Sequence, residues 1–206
     1  MTDGQPTTAR PTPMIRGERI FLRPAERSDL PTFVRWLTDA EVSRNLAFRA
    51  PFSLAMEEKW FEGMVERQGR SDYHFVICLL DDDRPIGTAG LHGLDLENGH
   101  AEFGISIGEK HEWNQGYGTD ALNAICDFGF GSLRLERIDL HVYEDNARAI
   151  RSYEKAGFRH EGRLRHARFA EGRHSDVLLM SLLRDEWQAL DRPTGWQLTF
   201  PDRSGA

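Results

Sequence analysis

Residues 105–121 read Ile105-Ser106-Ile107-Gly108-Glu109-Lys110-His111-Glu112-Trp113-Asn114-Gln115-Gly116-Tyr117-Gly118-Thr119-Asp120-Ala121. Over 101–108, Phe103, Ile105 and Ile107 alternate with Glu102, Gly104 and Ser106, which predicts a half-buried strand. The strand feeds a Gly-x-Gly turn that opens a helix from 116 to 130. A helix start is an anion site: its first N–H groups lack intrahelical partners, and the peptide dipoles place about half a positive charge there. Glycines let the backbone approach a diphosphate with no Cβ in the way. The same Gly-x-Gly also serves as a plain tight turn, so the loop alone does not decide. Two other phosphate loops fail on detail. No Gly-x4-Gly-Lys-Ser/Thr run exists. A dinucleotide fingerprint belongs to the first strand of a parallel sheet, whereas this strand comes fourth.

Working outward, residues 19–23 predict a first strand, stopped by Pro24. Ser28-Asp29 is placed to cap a helix with Leu30, Phe33, Val34 and Leu37 at helical spacing. Ser53 caps another, with Met56, Trp60, Phe61 and Met64 on one face and Glu57 and Glu58 read as solvated. Strands follow at 73–80 and 86–94, joined by Asp81-Asp82-Asp83. After the 116–130 helix come a strand at 137–143, a short helix at 147–156, and two strands at 158–169 and 174–183 around Glu171-Gly172-Arg173, a hairpin signal. Antiparallel runs joined to strand–helix–strand units imply an α/β (α+β) fold, a mixed sheet with helices on both faces. Residues 1–13, with three prolines, read as a disordered arm, 14–190 as the domain and 191–206 as a tail. In the tail Trp196, Leu198 and Phe200 alternate, which suits an extended docked piece.

The chain has 206 residues and a net charge of 26 minus 33, or −7, which argues against a general nucleic-acid binder. Only Lys59, Lys110 and Lys155 among the cations are lysines. Cys78 and Cys126 lie far apart in apolar runs and fit neither a disulfide framework nor a zinc site, so no metal is expected. No apolar run reaches the ~18–20 residues of a membrane span, and the N-terminus lacks the apolar core of a secretory signal. The expectation is a soluble cytoplasmic protein.

Further along stands Leu140-His141-Val142-Tyr143-Glu144-Asp145-Asn146-Ala147-Arg148-Ala149-Ile150-Arg151-Ser152-Tyr153-Glu154-Lys155-Ala156-Gly157-Phe158. This stretch resembles the second signature of the GNAT superfamily of acetyl-CoA-dependent N-acetyltransferases, in its RimJ/RimL-like, spermidine-acetyltransferase-like branch. Gly116-Tyr117-Gly118-Thr119-Asp120-Ala121 resembles that family's pyrophosphate loop. Leu22-Arg23-Pro24-Ala25 with Asp29 is similar to its opening strand and helix start. The resemblance covers about residues 15–188, and both signatures at this spacing and element order are highly specific. One departure stands out: Trp113 occupies a position where the family usually has Gln or Arg, leaving its backbone N–H for a phosphate.

The resemblance implies a mostly antiparallel sheet of about seven strands, splayed between the fourth (101–108) and fifth (137–143). It implies acetyl-CoA as donor, its pantetheine arm along the backbone of Ile105, Ser106 and Ile107. The diphosphate would sit on the loop of Trp113, Asn114, Gln115, Gly116, Tyr117, Gly118 and Thr119, with Asn146 reaching the pantetheine amide from the next helix start and Lys155 also counted among the cofactor-binding residues. The acceptor would be a primary amine: a protein N-terminus, a polyamine or another small amine. A homodimer is expected at family level.

Acetyl transfer needs a deprotonated amine, since an ammonium with pKa near 10.4 is no nucleophile. It also needs a donor for the oxyanion and a proton for the leaving sulfur. Tyr153 is the candidate acid, or a partly buried helix aromatic. Glu102 is the candidate base, directly or through a water, or a structural carboxylate. His141 and then His92 are the alternatives, each also readable as a structural histidine. Trp36, Phe48, Phe52 and Trp60 lie where this family roofs its acceptor site, and equally fit core packing. Two other classes stay open: a non-catalytic acyl-CoA-binding module on the same fold, and a plain interaction domain.

Overall fold

A computed structural model describes residues 12–47 and 50–203. Eight strands form one open sheet: β1 (Ile15–Arg16), β2 (Ile20–Arg23), β3 (Tyr73–Leu79), β4 (Pro85–Asp95), β5 (His100–Ile107), β6 (Arg137–Tyr143), β7 (Arg159–Ala170) and β8 (Arg173–Leu183). Their order is β1-β2-β3-β4-β5-β6-β8-β7. Every neighbouring pair is antiparallel except β5 and β6, which run parallel. The two-residue β1 raises the expected seven strands to eight, so the predicted fourth and fifth strands are β5 and β6.

The helices are α1 (Leu30–Thr38), α2 (Ala40–Ser43), α3 (Leu54–Arg67), α4 (Tyr117–Asp127), α5 (Ala147–Lys155), α6 (Arg184–Gln188) and α7 (Gly195–Thr199). They divide between the two sheet faces. On one, Leu91, Phe103, Ile138 and Leu140 pack with Leu122 and Ile125 of α4 and Tyr153 of α5. On the other, Val76 and Cys78 pack with Leu30, Phe33 and Trp36 of α1, Val42 of α2 and Phe61 and Met64 of α3. Both cysteines are buried and unpaired.

Several local expectations need correcting. Asp29 does not cap α1: it closes a 3-10 turn, accepting from the Glu26 N–H (2.8 Å) and from both terminal nitrogens of Arg23 (2.7 Å each). Ser53 does cap α3, accepting from the Met56 N–H at 3.3 Å, but Met56 faces outward and Glu57 is buried. Burial pushes the Glu57 carboxyl up from its ordinary value. The α4 helix ends at Asp127 and runs on as a π-helical turn, Phe128–Ser132. The tail forms the helix α7 and not an extended strand, because Thr194 and Gln197 complete a capping box at its start.

Asp120 ties α4 to the sheet. It sits at 9% exposure and accepts from the backbone N–H groups of Glu18 (2.9 Å), Arg19 (2.9 Å) and Ile20 (3.2 Å). Gly17 is required at that turn, since a Cβ there would lie 2.2 Å from Asp120 Oδ1.

Candidate active site

The ladder between β5 and β6 is short. It pairs His100 with Arg137, Ala101 with Ile138 and Glu102 with Asp139, and stops, although β5 continues to Ile107. Beyond Glu102 the strands part. Gly108 donates its N–H to the Ile86 carbonyl on the β4 side (2.8 Å). Alternation along an antiparallel ladder therefore turns the peptide groups of Ile105 and Ile107 away from β4, into the gap. The Trp113 indole N–H donates to the Ile107 carbonyl (2.8 Å), occupying one of these positions. A groove of ≈ 580 Å³ follows the gap, lined by β5, the 112–119 loop, β6, α5 and residues 42–47.

At one end of this groove lies the start of α4. Gly116 stands before it at φ 85°, in the left-handed region that favours glycine, and no side chain caps the helix. The first-turn N–H groups of Tyr117, Gly118 and Thr119 are thus left for an anion. Trp113 departs from the expectation: its backbone N–H already donates to the Lys110 carbonyl (3.1 Å), while its ring lies under Arg148, 4.1 Å from the guanidinium carbon. The Gln115 side chain is likewise engaged within the loop, with the His111 carbonyl (3.0 Å) and Glu112 (3.1 Å). Arg19 donates to the Gln115 carbonyl and lies over the Tyr117 ring (4.4 Å).

The α5 helix supplies the facing wall. Asn146 caps it, its Oδ1 accepting from the Ala149 N–H at 3.3 Å, which leaves the side-chain NH₂ for a ligand. Ser152 and Thr119 share a hydroxyl hydrogen bond of 2.7 Å that joins the start of α4 to the middle of α5. Arg148, Arg151 and Lys155 all line the groove. Only Lys155 was singled out from the sequence, although the spacing i, i+3, i+7 puts all three on one helical face. These cations and the uncapped α4 start fit the diphosphate-bearing end of acetyl-CoA.

The other end, where β5 and β6 begin to part, holds the proton-transfer candidates. Glu102 Oε1 lies 2.9 Å from His141 Nδ1, both side chains being about half exposed. Consecutive residues of a strand point to opposite faces, so Glu102 and Phe103 straddle the sheet. Tyr153 packs edge-on against Phe103, 6.3 Å between ring centroids, and so reaches the gap from the face opposite Glu102. Burial pushes the Tyr153 phenol up to about 12, which keeps its proton in place at neutral pH.

The remaining predicted residues divide. His92 pairs with Glu102 across β4 and β5 but does not line the groove. Its ring stands 4.8 Å from that of His74, and burial lowers both imidazoles from their ordinary values, His74 to about 4. Trp36 belongs to the core: it is buried against Phe33 (5.7 Å), with its indole N–H on Glu109 (2.9 Å). Trp60 packs edge-on against His74 (5.0 Å), and Phe52 is half-buried away from the groove. Phe48 lies outside the described residues. Val42, Asn45, Leu46 and Ala47 line the groove on this side, and sequence reasoning passed over them.

Parted strands that offer free peptide groups beside an anion-binding helix start are the geometry of an acyltransferase that draws on a CoA thioester. The chain belongs to the GNAT acetyltransferase family, whose domain matches residues 19–159. It is 33% identical over 173 residues to the uncharacterized N-acetyltransferase p20 of Bacillus licheniformis, covering 82% of this chain and 96% of that one. It is 30% identical over 189 residues to the spermidine N(1)-acetyltransferase of Escherichia coli K12, covering 91% and 98%. The crystal structure of spermidine N-acetyltransferase from Vibrio cholerae in complex with CoA and spermine superposes with a TM-score of 0.75 at 27% identity, covering 82% of this chain and 98% of that one. The protein is an acetyl-CoA-dependent N-acetyltransferase that moves an acetyl group to an amine.

Proposed function

We propose that the acceptor is a small aliphatic polyamine and that its primary amine attacks the thioester directly, with both substrates bound at once. The carrying observation is the placement of Glu102 with His141 on one face of the gap and buried Tyr153 on the other. Acetyl-CoA supplies the activated acetyl group. Glu102 takes the proton from the attacking amine, directly or through a water, and His141 passes it toward solvent. A gap-facing amide of β5 donates to the carbonyl oxygen as charge develops there. Tyr153 gives its proton to the sulfur as the carbon–sulfur bond breaks. The groove-lining carboxylate of Glu102 suits a cationic acceptor. The spermidine acetyltransferases among the relatives support the same class.

A cytoplasmic homodimer, with a single catalytic domain over 14–190, belongs to this reading. The test follows thiol release from acetyl-CoA with spermidine, spermine, putrescine, an amino sugar and a peptide N-terminus. Turnover should be fastest with the polyamines. Turnover confined to the peptide would replace the polyamine with a protein acceptor.

A further inference from the structure

We infer that Arg168 is a positioning residue that couples the donor side of the groove to its wall at residues 42–47, on the acceptor side. The inference rests on the acetyl-CoA site described above. Arg168, on β7, is only 5% exposed. Its guanidinium makes contacts in three directions. It donates to both oxygens of Asp145 (3.1 and 3.2 Å), the residue before Asn146. It donates to the Arg44 carbonyl (2.7 Å), where the chain leaves α2 toward Asn45 and Leu46. It lies over the Tyr143 ring, 4.1 Å from its centroid, at the end of β6. One side chain therefore holds the turn that carries Asn146, the last residue of β6 and the root of that wall.

The backbone is distorted to place it there. Between the pairs Leu164–Val177 and Arg168–Ser175, β7 advances four residues while β8 advances two. This bulge includes His166 at φ 55°, a strained conformation for a residue with a side chain. Asp176 secures it, accepting from the His166 N–H (2.9 Å) and from Arg163 (3.0 Å). Stability alone does not account for the arrangement. A buried guanidinium costs desolvation that apolar packing avoids, and its Nε has no hydrogen-bond partner among the described residues. What a guanidinium offers and an apolar side chain does not is a rigid fork joining separate segments. When the pantetheine arm engages Asn146 and orders its turn, Arg168 transmits that order to residues 44–47.

Hydrogen–deuterium exchange on the full chain tests this, with wild type, Arg168→Met and Asp145→Asn each measured with and without CoA. In the wild type CoA should slow exchange over residues 40–47 about fivefold or more, and in both variants less than about twofold. Exchange over 113–119 should slow equally in all three. Equal slowing over 40–47 in wild type and variants, or none in the wild type, overturns the coupling. Absence of CoA protection at 113–119 in the wild type overturns the donor site itself and the coupling with it. With spermidine as the probe, Arg168→Met should raise KM about tenfold with kcat within about threefold, and Arg168→Lys should recover part of the loss. Asp145→Asn leaves the buried side chain in place and keeps the test decisive if Arg168→Met does not fold.

Discussion

Glu102 and Phe103 are neighbours in the chain and opposites in space, and the proposed chemistry depends on that. The strand parity that sends Phe103 into the core under Tyr153 sends Glu102 to the other face of the sheet, beside His141. If Glu102 deprotonates the amine, Glu102→Gln should depress turnover most at neutral pH. At that pH a free amine of pKa near 10.4 is scarce, and turnover should recover in part as pH rises and the amine deprotonates by itself. An equal loss at every pH would make Glu102 structural. For Tyr153, the phenol that burial holds protonated should act on the departing sulfur. Tyr153→Phe keeps the ring against Phe103, so kcat should fall at least about tenfold, at the low end of acid catalysis, with acetyl-CoA affinity changed less than about threefold. Single-turnover kinetics with a CoA titration separate the two effects, and unchanged turnover would remove Tyr153 from the mechanism. Residue type and position pointed to both groups, but the pairing of Glu102 with His141 did not show in the sequence. The two are 39 residues apart and meet only because β5 and β6 run side by side.

At the scale of the element, the start of α4 is legible because its signal is local. Glycines, a preceding strand and a following apolar helix face all lie within one short stretch of chain. Gly118 has open space around it: a Cβ would meet nothing closer than Ile107 Cγ1 at 3.9 Å. Gly118→Val should therefore fold normally and obstruct only the ligand, weakening acetyl-CoA binding at least about tenfold, or about 1.4 kcal/mol. Calorimetric titration of the folded variant checks this, and unchanged affinity would sink the phosphate-loop assignment. The groove wall at α2 illustrates the opposite case. The α2 helix has four residues, too few to show a period, and it is held in place by Asp39 capping it and by Lys110, which bonds Asp39 (2.9 Å) and Glu41 (2.5 Å). Its partner lies some 70 positions along the chain, so no local pattern announces it. The bulge in β7 is hidden for the same reason, since its cause is the pairing with β8.

For the whole molecule, the C-terminal segment closes over the π-helical turn after α4. Asp127, 4% exposed, accepts from the Trp187 indole N–H (2.9 Å), both terminal nitrogens of Arg192 (2.7 and 3.0 Å) and the Gly195 N–H (2.7 Å). Trp187 in turn packs against Phe130 (5.3 Å) and Trp196 (6.0 Å). Asp127→Asn removes the charge that Arg192 faces while keeping the shape. Breaking a buried pair costs about 3–5 kcal/mol, and retention of one acceptor oxygen places the expected loss near the lower figure. Denaturant unfolding measures it, and limited proteolysis should show cleavage near residue 190 in the variant first. A stability within about 0.5 kcal/mol of wild type would show the contact to be incidental.

The sequence by itself determined the order of the main strands and helices from β2 to β8, the glycine turn that opens α4, and the residue types able to move protons. All of these are written in short-range patterns of polarity, glycine and caps. Its resemblance to a known family extended that to the donor and the reaction. Only the tertiary structure decided that β5 leaves β6 after three residue pairs, that Glu102 finds His141, and that Trp36 belongs to the core. The tail's helix and the burial of Arg168 were also decided there. Each of these depends on contacts between segments far apart in the chain, and such contacts exist only once the sheet has brought them together.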